Sequence, residues 1–318
     1  MFFVRKILAS IFAQFAFGLL LRIGWKRKTV LANLRHVGVA ENAANKAREG
    51  IARVTGGIAA KAREKMYCRL LQNLARHAGE LLFCFKTFKK LPADLGAYPC
   101  RVHGWNFDLA PGSAEILEKM RHGGIFLTAH YGNYEAMGPW LCRLGIPLVA
   151  SYIPVKPAWL NRILESRIRA VGGRCYSVNA QTPREFLRLL DDGKLFCLLA
   201  DQDSRIVSAQ EGLFMGKSVH NNPLPEFLLK HRPETPVFVC WIEECFDKGS
   251  RGSQGMRCGR LTRVLHAERF ATQFDLDGSA SVMARFNAWL QFRIVENPAL
   301  WYGFTHRRFY SKNPEIYK

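Results

Sequence analysis

Four short apolar runs, separated by stretches of helical periodicity, constrain this chain more than any other feature. The runs are 124–129 (GIFLTA), 146–152 (IPLVASY), 195–200 (LFCLLA) and 236–242 (PVFVCWI). Each has the length of one strand. Segments near 134–143, 157–171, 182–191 and 223–231 read as helices. Strands alternating with helices of about 10 to 15 residues indicate a parallel sheet with helices on its faces. The expected fold is α/β, with a mainly parallel central sheet flanked by helices. Ligands of such sheets sit at the carboxyl ends of the strands, so the chemistry is sought there.

Two polar motifs fall at such ends. The first is Thr128-Ala129-His130-Tyr131-Gly132-Asn133-Tyr134-Glu135. On one continuous helix, residues five apart lie about 140° from each other, so the histidine must precede the helix for this spacing to matter. Gly132 permits a bend, Asn133 suits an N-cap, and Glu135 then sits in the first turn with its carboxylate free to reach back. The pair reads as a base and its orienter. A histidine and a glutamate at this spacing also arise by chance in structural roles; it is the strand-end position that favours function. A zinc-type HExxH pattern would put two histidines on one helical face, and here the near neighbour, His122, precedes the strand, so no metal is expected.

The second motif, Asp201-Gln202-Asp203, follows the third apolar run and reads either as a capped turn or as the opposite wall of the same cleft. Three further segments are open in the same way. The Gly212–Lys217 stretch is an apolar loop suited to lining a groove. Arginines of 161–169, among them Arg167 and Arg169, form a solvated helix face or a phosphate contact. Residues 297–309 interleave aromatics with His306, Arg307 and Arg308, which suits base stacking with phosphate contacts or the capture of an anionic lipid headgroup.

The N-terminus carries an address. Ile7 to Leu21 is a 15-residue run broken only by Gln14, with Arg5 and Lys6 before it and Arg22, Lys26, Arg27 and Lys28 after. As a helix the run covers about 22 Å, against about 30 Å of bilayer hydrocarbon, so both spanning and interfacial anchoring are open. The basic flank makes a poor cleavage site and keeps the bulk of the chain on the cytoplasmic side. The net charge is +20, and residues 1–100 hold 18 basic against 5 acidic residues, so the excess is concentrated beside the apolar run. A membrane surface therefore accounts for the charge without nucleic acid. The nine cysteines show no CxxC pair, which fits a reducing compartment. With 48% hydrophobic residues the chain can bury a large core, which excludes disorder. We divide it into a membrane anchor (1–28), a helical N-terminal region (29–105), in which Gly56-Gly57 is the clearest break, and an α/β domain (106–318).

Together these segments resemble the bacterial lipid A biosynthesis late acyltransferases, the lauroyl and myristoyl transferases of the wider lysophospholipid acyltransferase superfamily, over roughly residues 1–315. His130 to Glu135 matches that family's HX4E signature. Ala200 to Asp203 resembles its Asp-Gln-Asp block, Phe214 to Lys217 its phenylalanine-glycine-basic loop, and Asn297-Pro298 through Phe309 its terminal tryptophan and His-Arg-Arg-Phe element. The resemblance implies the acyltransferase fold and transfer of a fatty acyl chain from acyl carrier protein, or less readily coenzyme A, to a hydroxyl of a lipid A precursor or related glycolipid. The setting implied is the cytoplasmic face of the inner membrane. His130 would be the general base and Glu135 would hold its ring, with no acyl-enzyme, no cofactor and no metal. Backbone N–H groups near Gly132 or a basic side chain would meet the oxyanion. Arg167 with Arg169 as alternate, Asp201, Asp203, Lys217, His306, Arg307 and Arg308 are the implied substrate-binding residues. One departure stands out: relatives often carry Arg-Pro where this chain has Ile153-Pro154, so the acceptor can differ from a bis-phosphorylated precursor. Acylation of another glycolipid or lysophospholipid, a membrane-tethered nucleic-acid binder and a non-catalytic lipid-binding scaffold are the alternative readings.

Overall fold

A computed structural model describes residues 2–38, 55–152, 154, 156–172, 174–178, 182–246, 261–270 and 281–318. Helix α1 (Phe2–Arg22) turns at Gly24 into α2 (Arg27–Val37), and the long helix α3 (Thr55–Phe88) follows. Gly56-Gly57 lies in the first turn of α3 and does not break it. A hairpin of β1 (Cys100–Val102) and β2 (Trp105–Leu109) leads through α4 (Ser113–Met120) to β3 (Gly124–Thr128), α5 (Tyr134–Arg143) and β4 (Leu148–Ser151). Then come α6 (Ala158–Ile163), a π-type turn at Leu164–Ile168, the small hairpin β5 (Ala170–Val171) and β6 (Arg174–Cys175), and β7 (Ser177–Val178). The remainder is α7 (Pro183–Asp191), β8 (Leu195–Leu199), β9 (Gln210–Phe214), β10 (Lys217–Asn221), α8 (Leu224–His231), β11 (Val237–Phe246), β12 (Leu261–Phe270) and α9 (Val282–Glu296).

Eight strands form one sheet in the order β1-β2-β12-β11-β3-β8-β4-β7. Its centre, from β11 through β3, β8 and β4 to β7, is parallel throughout, whereas β11 pairs with β12 and β1 with β2 antiparallel. The chain is thus α/β with a mostly parallel sheet, and each of the four apolar runs contributes a strand to it. All five residues of β3 are buried, as a strand covered on both faces must be. Alternate side chains divide between two cores. Ile125 and Leu127 join Phe286 and Leu290 of α9 and Tyr67 and Leu70 of α3. Phe126 joins Trp140 and Leu141 of α5 and Leu117 and Met120 of α4. Full burial of one such side chain contributes about 1.5–3 kcal/mol, so the two layers bind the helices to the sheet. Local signals agree with this packing. Helix α7 starts with a capping box, Thr182 Oγ1 accepting the Glu185 N–H at 3.3 Å and Glu185 Oε2 accepting the Thr182 N–H at 2.8 Å, with Pro183 following.

Three expectations change. The helix read over 157–171 stops at Ile163, passes into the π-type turn and becomes strand at Ala170, because Gly172, with φ +59°, reverses the chain into β6. The loop read over Gly212–Lys217 is a hairpin: β9 and β10 pair Phe214 with Lys217, and Met215 and Gly216 form the turn with φ +54° and +72°. Two successive positive φ values match the twist of a two-residue hairpin connection. Finally, the sheet reaches back to Cys100, inside the segment drawn as helical over 29–105.

Helix α1 is long and apolar enough to cross a membrane, and its 21 residues measure about 31 Å. It packs along α3, where Gly79 permits the approach: a β-carbon there would lie 2.6 Å from the Ala9 carbonyl oxygen. Phe12 meets Phe83 with ring centroids 5.7 Å apart. The opposite face leaves Phe3, Ile7, Ile11 and Phe15 exposed.

Candidate active site

Strand register brings the two polar motifs together. Neighbouring strands β3 and β8 pair Gly124 with Leu195 and, at their far ends, Thr128 with Leu199. His130 and Asp201 each lie two residues beyond that last pair, so both emerge from the same end of adjacent strands. The His130 Nδ1 atom is 2.8 Å from Asp201 Oδ1, and the His130 backbone N–H donates to Asp201 Oδ2 at 3.0 Å. The Trp301 indole N–H donates to the same Oδ2 at 2.9 Å. Asp201 is buried, and a buried carboxylate is tolerable only when its oxygens are satisfied in this way. Burial pushes the Asp201 carboxyl up, but the charge and hydrogen bond of His130, with the Trp301 and backbone donors, outweigh it and hold it at about 2. For His130, burial acts to lower the pKa, and the Asp201 charge and hydrogen bond overcome it. The imidazole titrates above its ordinary value, with a smaller upward contribution from Glu135. Because Nδ1–H faces a carboxylate, Nε2 is the proton-accepting nitrogen. The Gln202 amide nitrogen is 3.5 Å from it.

The turn between His130 and α5 is clamped from the C-terminal segment. Gly132 bends with φ +59°, and its N–H donates to the Leu300 carbonyl at 2.9 Å. The Tyr302 N–H donates to the His130 carbonyl at 2.7 Å, and Tyr131 pairs with Trp301 as an isolated antiparallel bridge. Asn133 holds the N-cap position, but its side chain does not cap; its amide donates to Glu80 Oε2 of α3 at 3.0 Å. One expectation is corrected here, and a second is narrowed. Glu135 does not hold the imidazole: its Oε1 accepts from Arg169 Nη2 at 2.9 Å, while the carboxylate on Nδ1 belongs to Asp201. The first turn of α5 carries Glu135 toward Arg169, which also lies over the Tyr152 ring at 5.1 Å, whereas Asp201 reaches His130 directly from the adjoining strand. The Gly132 N–H, already bonded to Leu300, is not free to meet an oxyanion.

The other candidates divide by position. Among them His306 approaches the base, with its ring centroid 5.4 Å from that of His130. Burial, then the neighbouring His130, lowers its pKa. Asp203 anchors the C-terminal segment through Oδ2, which accepts the Ser311 hydroxyl at 2.7 Å and the Ser311 N–H at 3.2 Å. Arg308 is buried and braces the Asp-Gln-Asp block, donating to the Gln202 carbonyl at 3.0 Å, the His220 carbonyl at 2.6 Å and Asn221 Oδ1 at 2.7 Å. Burial brings its pKa down to about 10. Exposed Arg307 lies over the Tyr310 and Tyr317 rings at 5.5 and 5.7 Å. Lys217 opens β10, and its charge bears on His36. The Arg167 side chain and the whole of Ile153 lie outside the described residues.

Sequence reading missed the part played by Trp301, which it placed on a ligand-contacting surface. Trp301, Phe304 and Phe309 are fully buried and Tyr302 is 4% exposed, so these rings build the site's support and are not open to stacking bases. The signal was present in their spacing within an apolar stretch. Tyr134, edge-on to His130 at 5.0 Å between centroids, was also missed. Beside Glu135 opens a pocket of about 70 Å³ whose apolar walls include Phe126, Met137, Leu148 and Leu199. Among the described residues no cluster of His, Cys, Asp and Glu has the arrangement of a metal site. A scan against protein-family models finds no match for this chain, and a search of curated proteins finds none either.

Proposed function

We propose that this chain is a membrane-associated acyltransferase that transfers a fatty acyl chain from acyl carrier protein to a hydroxyl of a lipid A precursor or a related glycolipid, at the cytoplasmic face of an inner membrane. The observation that carries this reading is the His130–Asp201 pair, a histidine with Nδ1 against a buried carboxylate at 2.8 Å and Nε2 left as acceptor. The four ordered motifs resembling the lipid A late acyltransferases supply the substrate class. In the reaction, Nε2 of His130 takes the proton of the acceptor hydroxyl as its oxygen bonds to the thioester carbonyl carbon. Asp201 stabilises the imidazolium by charge and by the Nδ1 hydrogen bond. Collapse of the tetrahedral adduct breaks the carbon–sulfur bond, and the imidazolium returns the proton to the departing thiolate. No covalent enzyme intermediate is required.

Other side chains fall into supporting roles. Glu135 fixes Arg169 at the edge of the site, where the guanidinium is a candidate partner for an acceptor's anionic group, and the pocket beside Glu135 receives the first carbons of the acyl chain. Gln202 and His306, both beside His130, are the candidates for the oxyanion now that the Gly132 N–H is committed elsewhere. Because α1 lies along α3 with its apolar face outward, it meets lipid side-on and keeps the strand ends near the headgroups. The test is His130→Ala in purified protein reconstituted into vesicles. Acyl transfer is abolished while the protein remains folded by circular dichroism, with a lower melting temperature because buried Asp201 loses its imidazole partner; retained transfer refutes the mechanism. Mass spectrometry of membrane glycolipids from a deletion strain then identifies donor and acceptor together by the missing acyl group.

A further inference from the structure

A second cavity, of about 560 Å³, lies between α1, α3, the β1–β2 hairpin and β12, and it touches the His130 turn only through Glu80, which accepts from Asn133. Its volume is within the usual range for a small-molecule site, about 300–1,000 Å³. The α1 wall is apolar at Ala9, Ala13 and Phe17. Three cations, Lys6, Arg101 and Arg263, also line the cavity, Lys6 and Arg263 lying over the Trp105 ring at 5.4 and 3.8 Å. A β-carbon at Gly104 would lie 3.2 Å from the Lys6 ammonium and 4.0 Å from an Arg101 guanidinium nitrogen, so two positive heads converge on one point.

The local acid is already committed. Glu80 accepts from Arg263 at 2.7 Å, from Arg76 at 3.4 Å and from Asn133 at 3.0 Å, and Arg76 is itself paired with Glu244. Lys6 donates to the Gly104 carbonyl at 3.1 Å, and Arg101 has no ion-pair partner among the described residues. The Nε atom of Arg263, a residue 2% exposed, is buried without a hydrogen-bond partner among the described residues. An excess of converging, partly buried positive charge beside an apolar wall is complementary to an anion that carries an apolar tail. The cavity's α1 wall adjoins the face that exposes Ile7, Ile11 and Phe15, so a ligand can enter from lipid.

We propose that this cavity binds an anionic phospholipid, its phosphate held by Lys6, Arg101 and Arg263 and its first acyl carbons laid along Ala13 and Phe17. The site is separate from the catalytic cleft. Its nearest strand is β12, which carries Arg263, and β11 intervenes between β12 and β3, a displacement of about 10 Å at the spacing of neighbouring strands. It does not rest on the acyltransferase reading, since it is read by binding alone.

The experiment uses the full-length chain in a neutral detergent, titrated with dihexanoyl-phosphatidylglycerol, dihexanoyl-phosphatidylcholine and inorganic phosphate. Saturable binding of the phosphatidylglycerol is expected, at least about tenfold tighter than either comparison ligand. Lys6→Gln and Arg101→Gln each weaken it by about five- to tenfold. Ala13→Trp, which fills the apolar wall, removes it, while His130→Ala and the remote control Arg188→Gln leave it unchanged. Equal binding of phosphate alone would show an idle apolar wall and overturn the lipid assignment. Equal weakening by Arg188→Gln would reduce the effect to general surface attraction, and loss in His130→Ala would place the lipid in the catalytic cleft. Either result, or no binding at all, overturns the proposal.

Discussion

Replacing Asp201 by asparagine tests the central pair most sharply, because shape is kept and charge is lost. Asp201 receives three N–H groups, from His130 Nδ1, the His130 backbone and Trp301. An asparagine side chain can offer its oxygen to only one side of that arrangement. With the oxygen toward Trp301 and the backbone, its NH2 group faces Nδ1, and the imidazole relieves the conflict by carrying its proton on Nε2. A histidine protonated there cannot accept from a hydroxyl. In catalytic triads the same exchange lowers kcat by about ten-thousandfold through the wrong tautomer, and we expect a loss of that order here. The acid limb moves as well. Without the carboxylate, burial lowers the His130 pKa with little to oppose it, so the residual activity of Asp201→Asn persists to lower pH than that of the native chain. The assay is kcat for acyl transfer against pH in reconstituted vesicles, with nitrogen NMR of the imidazole to read the tautomer and a melting curve to verify folding. A folded Asp201→Asn protein with kcat within tenfold of native and its proton still on Nδ1 would refute the assignment. So would Glu135→Gln, if it moved the proton to Nε2 while Asp201→Asn did not.

Three further outcomes follow from the packing and the charges. Glu80→Ala leaves the Arg263 guanidinium, its side chain 3% exposed, without its ion-pair partner, and should destabilise the fold by about 3–5 kcal/mol by chemical denaturation. Trp140→Ala empties a fully buried site whose indole donates to the Tyr98 hydroxyl at 2.9 Å and packs edge-on to Phe107; a loss of about 3–5 kcal/mol is expected from the same measurement. The Asp201 carboxyl, at about 2 in the fold against 3.8 unperturbed, contributes stability that is complete above about pH 4 and is lost as pH falls through 2. The raised His130 pKa has the opposite sign, contributing fully below the unperturbed value of 6.5 and fading as pH rises through the folded value. Native and Asp201→Asn proteins should therefore differ most in stability between those limits and converge in strong acid; parallel pH–stability curves would contradict this.

Much of the architecture was legible along the chain. The run 124–129 became β3 at Gly124–Thr128, and 195–200 became β8 at Leu195–Leu199, since a short, mostly apolar run between turn signals has few other ways to be buried. Helix α5 begins at Tyr134, directly after Gly132 and Asn133. The hairpin of β9 and β10 escaped because residue patterns alone did not show that Met215, a residue with a β-carbon, would adopt φ +54°. Strands β1, β2 and β12 escaped for a different reason. Their burial is uneven, as in the intermediate and exposed positions of β1, so no clean apolar run marks them.

The site divides along the same line. Periodicity along the chain located His130 at a strand end and Asp201 at another, because local burial and turn chemistry act over a few residues. Which carboxylate meets the imidazole was settled by pairing between strands. The register of β3 on β8 sets Asp201 against Nδ1, and Arg169 draws Glu135 away, from 34 residues along the chain. Trp301, separated by 100 residues from the aspartate it supports, belongs to the same category. Hydrogen bonds across such separations exist only once the sheet and its C-terminal cover have packed, and no local pattern encodes them.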